Sequence, residues 1–153
     1  MSVDIKELYQ EVILDHNKRP RNFRVIDPAT HTGKGFNPLC GDQIEVYLSV
    51  NSAGIVEAAA FQGEGCAIST ASSSIMTELV IGKSIGEIEA LFTAFETAVK
   101  ADQTSDELAH LGDLSALVGV REYPARVKCA TLPWHALQAA IHHASGAVES
   151  EKE

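Results

Sequence analysis

No uninterrupted apolar stretch in this 153-residue sequence approaches the roughly 18 residues that cross a bilayer as a helix. The opening Met1-Ser-Val-Asp-Ile-Lys-Glu has no basic segment leading into an apolar run, so a secretory leader is not expected either. These two absences set the expectation of a soluble, intracellular, cytoplasmic protein with no membrane partner. Positive charge is also scarce, with Lys and Arg together 12 against 21 Asp and Glu, a net charge of −9. Phosphate backbones need a basic surface, so nucleic acid is not an expected partner. Cysteine is scarcer still, at three, and the odd count argues against a disulfide framework.

Several catalytic signatures are absent as well. The six histidines (His16, His31, His110, His135, His142 and His143) form no HExxH pattern. No serine sits in a GxSxG elbow, and Gly33-Lys-Gly35 is too short for a phosphate loop. No internal repeat or interdomain linker interrupts the chain, which is long enough to bury a core without staples. The expectation is one domain over residues 1–146 and a flexible polar tail over 147–153.

The hydropathy pattern orders the elements that are present. Ile5, Leu8, Tyr9, Val12, Ile13 and His16 share one helical stripe over residues 3–16, with Ser2 as a possible N-cap. Residues 17–40 are rich in Pro, Gly and Asn and read as loop, with a short strand near 35–39. Ile44, Val46, Leu48 and Val50 alternate as in a half-buried strand, Asn51-Ser-Ala-Gly54 makes a turn, and residues 55–62 return as the second strand of a hairpin. A helix follows from Ala67, with Ile68, Ala71, Ile75 and Leu79 on one face, Ser72-Ser-Ser74 as a close-packing surface and Gly82 at its C-terminal end. Ser84-Ile-Gly-Glu87 and Thr104-Ser-Asp-Glu107 have capping-box spacing and predict helices over 85–100 and 105–111. Pro124 and Pro133 predict a short helical turn holding Arg126 to Cys129, then a separate last helix with Leu137, Ala140, Ile141 and Ala144 inward. Trp134 reads as core. The fold class expected is α+β, a small three-stranded antiparallel sheet with helices packed on one face.

The chemistry rests on the cysteines. Cys40-Gly-Asp42 precedes the first hairpin strand and Gly63-Glu-Gly-Cys66 follows the second, and an antiparallel pair brings those two ends together. Cys66 also begins a helix, where free N–H groups and the helix dipole favour a thiolate. Zinc takes thiolate sulfur and carboxylate oxygen, so Cys40, Asp42, Cys66 and Cys129 could complete a tetrahedral shell, its excess negative charge offset by Arg126 and Lys128. The plain alternative is three unrelated cysteines, at least two of them small core residues. Lys18, Arg19, Arg21, Arg24 and Lys34 crowd into one segment, and Arg121, Arg126 and Lys128 into another; each is a solvated surface or a docking patch for an acidic partner.

Tyr9-Gln-Glu-Val-Ile-Leu-Asp-His16 with Pro20-Arg-Asn22, then Asn37-Pro-Leu-Cys-Gly-Asp42, Gly63-Glu-Gly-Cys66-Ala-Ile-Ser with Ala71-Ser-Ser-Ser, and Arg126-Val-Lys-Cys129-Ala-Thr-Leu-Pro-Trp134 together resemble the IscU/NifU-N family of iron–sulfur cluster assembly proteins. The resemblance runs over nearly the whole chain, with the motifs in order. Lys128 stands where the main scaffold branch has a histidine, and a longer segment from Phe92 to Asp113 separates the last two cysteines. Both features are similar to the SufU branch. The resemblance implies a SufE/NifU-like fold and a zinc-dependent sulfurtransferase. Such a protein accepts persulfide sulfur from a SufS-type cysteine desulfurase and passes it to a SufB-type scaffold complex. It further implies that Cys40 is the sulfur acceptor, that Cys40, Asp42, Cys66 and Cys129 bind Zn2+, and that Arg126 supports them. The alternative within the family is a scaffold on which a transient [2Fe-2S] cluster is built.

Overall fold

The computed structural model describes residues 5–26, 29–38, 41–100, 117, 124–142 and 147–149, and among these it has four strands and four helices. In chain order they are α1 (Ile5–Lys18), β1 (His31–Asn37), β2 (Asp42–Val50), β3 (Val56–Glu64), α2 (Ala67–Val80), α3 (Ile85–Lys100), α4 (Pro124–Ile141) and β4 (Ala147–Glu149). Among the described residues no helix is long and apolar enough to cross a membrane.

The expected hairpin is β2 and β3, antiparallel from Gln43↔Glu64 to Val50↔Val56 with an irregularity at Ser49/Val50. The short strand foreseen near 35–39 is β1, displaced toward the N-terminus and antiparallel to β2 from His31↔Leu48 to Asn37↔Asp42. Beyond this three-stranded antiparallel sheet, Ala147–Glu149 adds a short parallel strand on β1, giving the order β3-β2-β1-β4. Three residues that read as tail thus carry main-chain bonds to an otherwise open strand edge. The other edge is capped at Phe61, whose N–H donates to Asn22 O while its carbonyl accepts from Arg24 N, both at 3.0 Å.

One face of the sheet is the core. Gly33, Gly35 and Asn37 of β1, Asp42, Ile44, Val46 and Leu48 of β2, and Ala59 and Phe61 of β3 are all buried, as the two-residue period requires. Helices α2 and α4 pack on this face. Helix α4 lies directly on β1 because β1 has glycine where it crosses. A Cβ at Gly33 would overlap Ala136 O and stand 2.6 Å from Ala140 N, and one at Gly35 would stand 2.9 Å from Leu132 Cδ1. The Gly-Lys-Gly sequence is therefore a seat for a helix rather than part of a phosphate loop.

Pro133 does not divide that helix, contrary to the sequence expectation of two pieces: α4 runs unbroken from Pro124 to Ile141. Proline at this position forbids the backbone bond to the Cys129 carbonyl four residues back, a loss on the order of 3 kcal/mol in an isolated helix. Ala130, Leu132, Trp134, Ala136, Leu137 and Ala140 are all buried on both sides of it, so tertiary packing carries the helix through. Trp134 is core, with its indole N–H donating to Ser72 Oγ at 3.2 Å.

The serine run on α2 is the expected close-packing surface, and each hydroxyl has its own partner. Ser72 donates to Ala130 O of α4 at 2.6 Å. Ser73 bonds back to Ser69 O at 2.9 Å, and Ser74 Oγ faces His16 Nδ1 of α1 at 2.7 Å while accepting from Arg21 N at 2.8 Å. The capping box at α3 is formed as expected, with Ser84 N–H to Glu87 Oε1 at 2.9 Å and Glu87 N–H to Ser84 Oγ at 3.2 Å. Gly82 has φ 89° just beyond α2, the left-handed step that ends a helix. The expected N-cap Ser2 and the expected helix over 105–111 lie outside the described residues.

Candidate metal centre

Three elements converge at one end of the core face. Asp42 is the first residue of β2, Cys66 is the N-cap of α2, and Cys129 lies within α4. One ligating atom from each of these residues lies within 4.8 Å of the others. Asp42 and Cys129 are fully buried, and Cys66 is half-buried. The fourth sequence-expected ligand, Cys40, lies outside the described residues, two positions before Asp42 in the chain.

The local backbone explains the convergence. Gly63 has φ 139°, and a Cβ there would collide with the Gln43 carbonyl, so glycine lets β3 run tight against β2 up to the turn. Two residues on, Cys66 N–H donates to Asp42 Oδ1 at 2.9 Å, tying the helix start to the strand start. Asp42 Oδ2 then faces Cys66 Sγ at 3.9 Å. Ser69 N–H points at Cys66 Sγ at 3.4 Å, the N-capping bond with sulfur in place of the usual oxygen.

Hydrogen bonding with Cys129 holds the Cys66 thiol pKa down to about 6, with further help from the Ser69 and Ile68 N–H groups. Burial and the Asp42 charge oppose that shift. Asn37 Nδ2 stands 3.7 Å from Cys129 Sγ as its donor. Two thiols and a carboxylate, each already facing hydrogen-bond donors or one another, match the donor types that zinc accepts in closed sites.

Sequence reasoning placed Asp42, Cys66 and Cys129 together, and they are together. It did not single out Asn37 or Ser69. Asn37 was legible as the polar residue ending an inward period of Gly33 and Gly35, and Ser69 as the third residue after an N-cap, where a backbone N–H must find an acceptor. Arg126 is exposed on α4, three residues before Cys129, and Lys128 is partly exposed. Of the N-terminal basic group, Arg21 is engaged with Asp15 at 2.5 Å and Lys34 lies 4.0 Å from Glu45, while Lys18, Arg19 and Arg24 are exposed. His16 and His135 are buried against Ser74 and Glu96 respectively.

A groove of about 810 Å³ lies on the opposite face of the sheet, where Lys34, Phe36, Gln43, Glu45, Gln62 and Glu64 point outward. Tyr47 is buried on that same face, its hydroxyl donating to Glu45 Oε1 at 2.9 Å. Burial, with the Glu45 hydrogen bond and charge behind it, pushes this phenol from 10.0 up to about 12. A raised phenol contributes stability that is complete below pH 10 and is lost as pH rises toward 12, because the unfolded chain ionises first. Denaturant midpoints of the native protein are expected to fall across that window more steeply than those of Tyr47→Phe. Parallel slopes for the two proteins would contradict it.

Comparison with known proteins matches residues 8–143 to the NifU-like N terminal domain. The chain is 39% identical over 145 residues to the zinc-dependent sulfurtransferase SufU of Bacillus subtilis, covering 95% of this chain and 97% of that protein. It is 41% identical over 143 residues to the iron–sulfur cluster assembly scaffold protein IscU of Streptococcus pyogenes, covering 94% and 88%. Among solved structures, the iron–sulfur cluster assembly scaffold protein for the SUF system (FiSufU) from Fervidobacterium islandicum AW-1 superposes with a TM-score of 0.79 at 31% identity, covering 90% of this chain and 99% of the other. With its three-stranded antiparallel sheet, its helical second half and its Asp42–Cys66–Cys129 cluster, the chain belongs to the NifU-like N-terminal domain family of iron–sulfur cluster assembly proteins.

Proposed function

We propose that this protein is a zinc-dependent sulfurtransferase that accepts persulfide sulfur from a SufS-type cysteine desulfurase and hands it to a SufB-type scaffold complex. The observation that carries the reading is the convergence of a carboxylate and two sulfurs from β2, α2 and α4 within 4.8 Å. Asp42, Cys66 and Cys129 supply three ligands, and Cys40, two residues from Asp42 across a glycine, supplies the fourth and is the acceptor. When bound, zinc keeps its thiolates deprotonated at neutral pH and shields them from oxidation.

The chain's own groups do the rest. Cys66 N–H holds the Asp42 carboxylate, Ser69 N–H and Asn37 Nδ2 face the two sulfurs, and Gly41, with φ 72°, makes a left-handed step just before Asp42. The Cys40 thiolate attacks the outer sulfur of the desulfurase persulfide. A new S–S bond forms, the old one breaks, and the desulfurase cysteine leaves as thiolate, so no external oxidant or reductant is needed. Arg126, three residues before Cys129, supplies positive charge near an anionic ligand set.

The test is alanine release from cysteine by a SufS-type desulfurase, with this protein zinc-loaded or metal-stripped. Strong stimulation by the zinc form alone is expected. A second reading, assembly of a [2Fe-2S] cluster on the same thiolates, is favoured by the 41% identity to a protein named as an IscU scaffold. Stimulation by neither form, with a visible chromophore after anaerobic reconstitution that moves to an apo-acceptor, would replace the first reading by the second.

A further inference from the structure

Among the buried serines at the start of α2, Ser69 stands apart. Ser72, Ser73 and Ser74 each have a hydrogen-bond partner, whereas Ser69, with no exposed surface, has a hydroxyl with no partner among the described residues. A buried hydroxyl left unpaired is costly and calls for an explanation at the place where it sits. Ser69 sits at the metal centre, its N–H already directed at Cys66 Sγ at 3.4 Å.

The neighbouring glycine shows what lies beside the hydroxyl. A Cβ built on Gly65 would lie 3.1 Å from Ser69 Oγ and 3.1 Å from Asp42 Oδ1. The two oxygens therefore border one methyl-sized space that exists because residue 65 is glycine. The Asp42 carboxylate is divided in its duties: Oδ1 accepts from Cys66 N at 2.9 Å, while Oδ2 faces Cys66 Sγ at 3.9 Å.

We infer that Ser69 is a positioning residue for the metal centre, its hydroxyl reaching Asp42 Oδ1 beside Gly65 through one bridging water. With Cys66 N–H and the Ser69-held water both on Oδ1, the carboxylate is fixed with Oδ2 turned toward the sulfurs as a single-atom ligand. Hydrogen bonds of this outer kind orient ligands and raise metal affinity. The inference rests on the reading of Asp42, Cys66 and Cys129 as metal ligands, and it adds two residues, Ser69 and Gly65, that donate no electron pair to the metal.

The experiment is competition for zinc against a chromogenic chelator, alongside thermal unfolding of the metal-free proteins. Ser69→Ala is expected to weaken zinc binding roughly ten- to a hundredfold, while the metal-free protein loses no more thermal stability than Ser73→Ala, which also gives up a single hydroxyl hydrogen bond. Gly65→Ala, which fills the gap, is expected to weaken zinc binding in the same direction. Ser73→Ala, which loses a hydroxyl already bonded to Ser69 O, serves as the control for disturbance of the helix. Ser69→Ala matching the native zinc affinity, or losing no more affinity than Ser73→Ala, would overturn the inference. Native protein that takes up no zinc, or an Asp42→Ala variant with undiminished affinity, would overturn the ligand reading beneath it.

Discussion

Cys40→Ser is expected to reduce sulfur uptake to background. With a desulfurase charged from 35S-cysteine, the native protein should carry label that a thiol reductant removes, and the variant none. A serine hydroxyl stays protonated at neutral pH and offers no sulfur for an S–S bond, so neither attack nor storage remains. Zinc binding should persist at reduced affinity, because Asp42, Cys66 and Cys129 still converge from three elements of the fold. That separation of metal from transfer distinguishes Cys40 from the other two cysteines. Cys66 is the N-cap of α2 and Cys129 is wholly buried, so replacing either disturbs packing as well as the metal. Reductant-sensitive label on the Cys40→Ser protein would assign the acceptor role elsewhere.

The second large effect concerns a residue with no chemistry of its own. Gly33→Ala is expected to destabilise the protein by about 3 kcal/mol or more, at the upper end of what overpacking costs. The added Cβ would meet backbone, not side chain: Ala136 O in outright overlap and Ala140 N at 2.6 Å. No rotamer change relieves that contact, so α4 must move away from β1. Because α4 carries Cys129, the shift should also lower zinc affinity, although Gly33 is not a ligand. Gly86→Ala in α3 is the matched control. A Cβ there meets nothing within 4 Å, and the substitution should be neutral or stabilising by up to about 1 kcal/mol. Urea unfolding of both variants with zinc titration gives the answer, and a Gly33→Ala protein with native midpoint and native affinity would refute the account of how α4 is seated.

Local pattern made much of this architecture legible. Strict alternation at Ile44, Val46 and Leu48 defined β2, the Asn51–Gly54 turn defined the return of β3, and the Ser84–Glu87 spacing defined the start of α3. From the hairpin alone it followed that Asp42 and Cys66 would be neighbours, since an antiparallel pair places the start of one strand beside the end of the other. Cys129 was reachable only through the donor type it shares with Cys66 and through the family resemblance, because no spacing rule links a residue on α4 to a hairpin end.

Where local rules misled, tertiary contacts outweighed them. Pro133 is a helix breaker by any local measure, yet the buried residues on both sides of it hold α4 in one piece. Ala147–Glu149 reads as polar tail and instead pairs with β1, whose edge offers main-chain partners that composition does not encode. The sequence by itself determined the hairpin that brings Asp42 and Cys66 together and the glycines that permit tight turns, because each depends on neighbours a few residues away. Only the tertiary structure decided that Gly33 and Gly35 seat α4, that Cys129 reaches the hairpin end, and that Ser69 and Asp42 both border Gly65. Those contacts join residues far apart in the chain, and their geometry is set by close packing of backbone on backbone, which no single stretch of sequence contains.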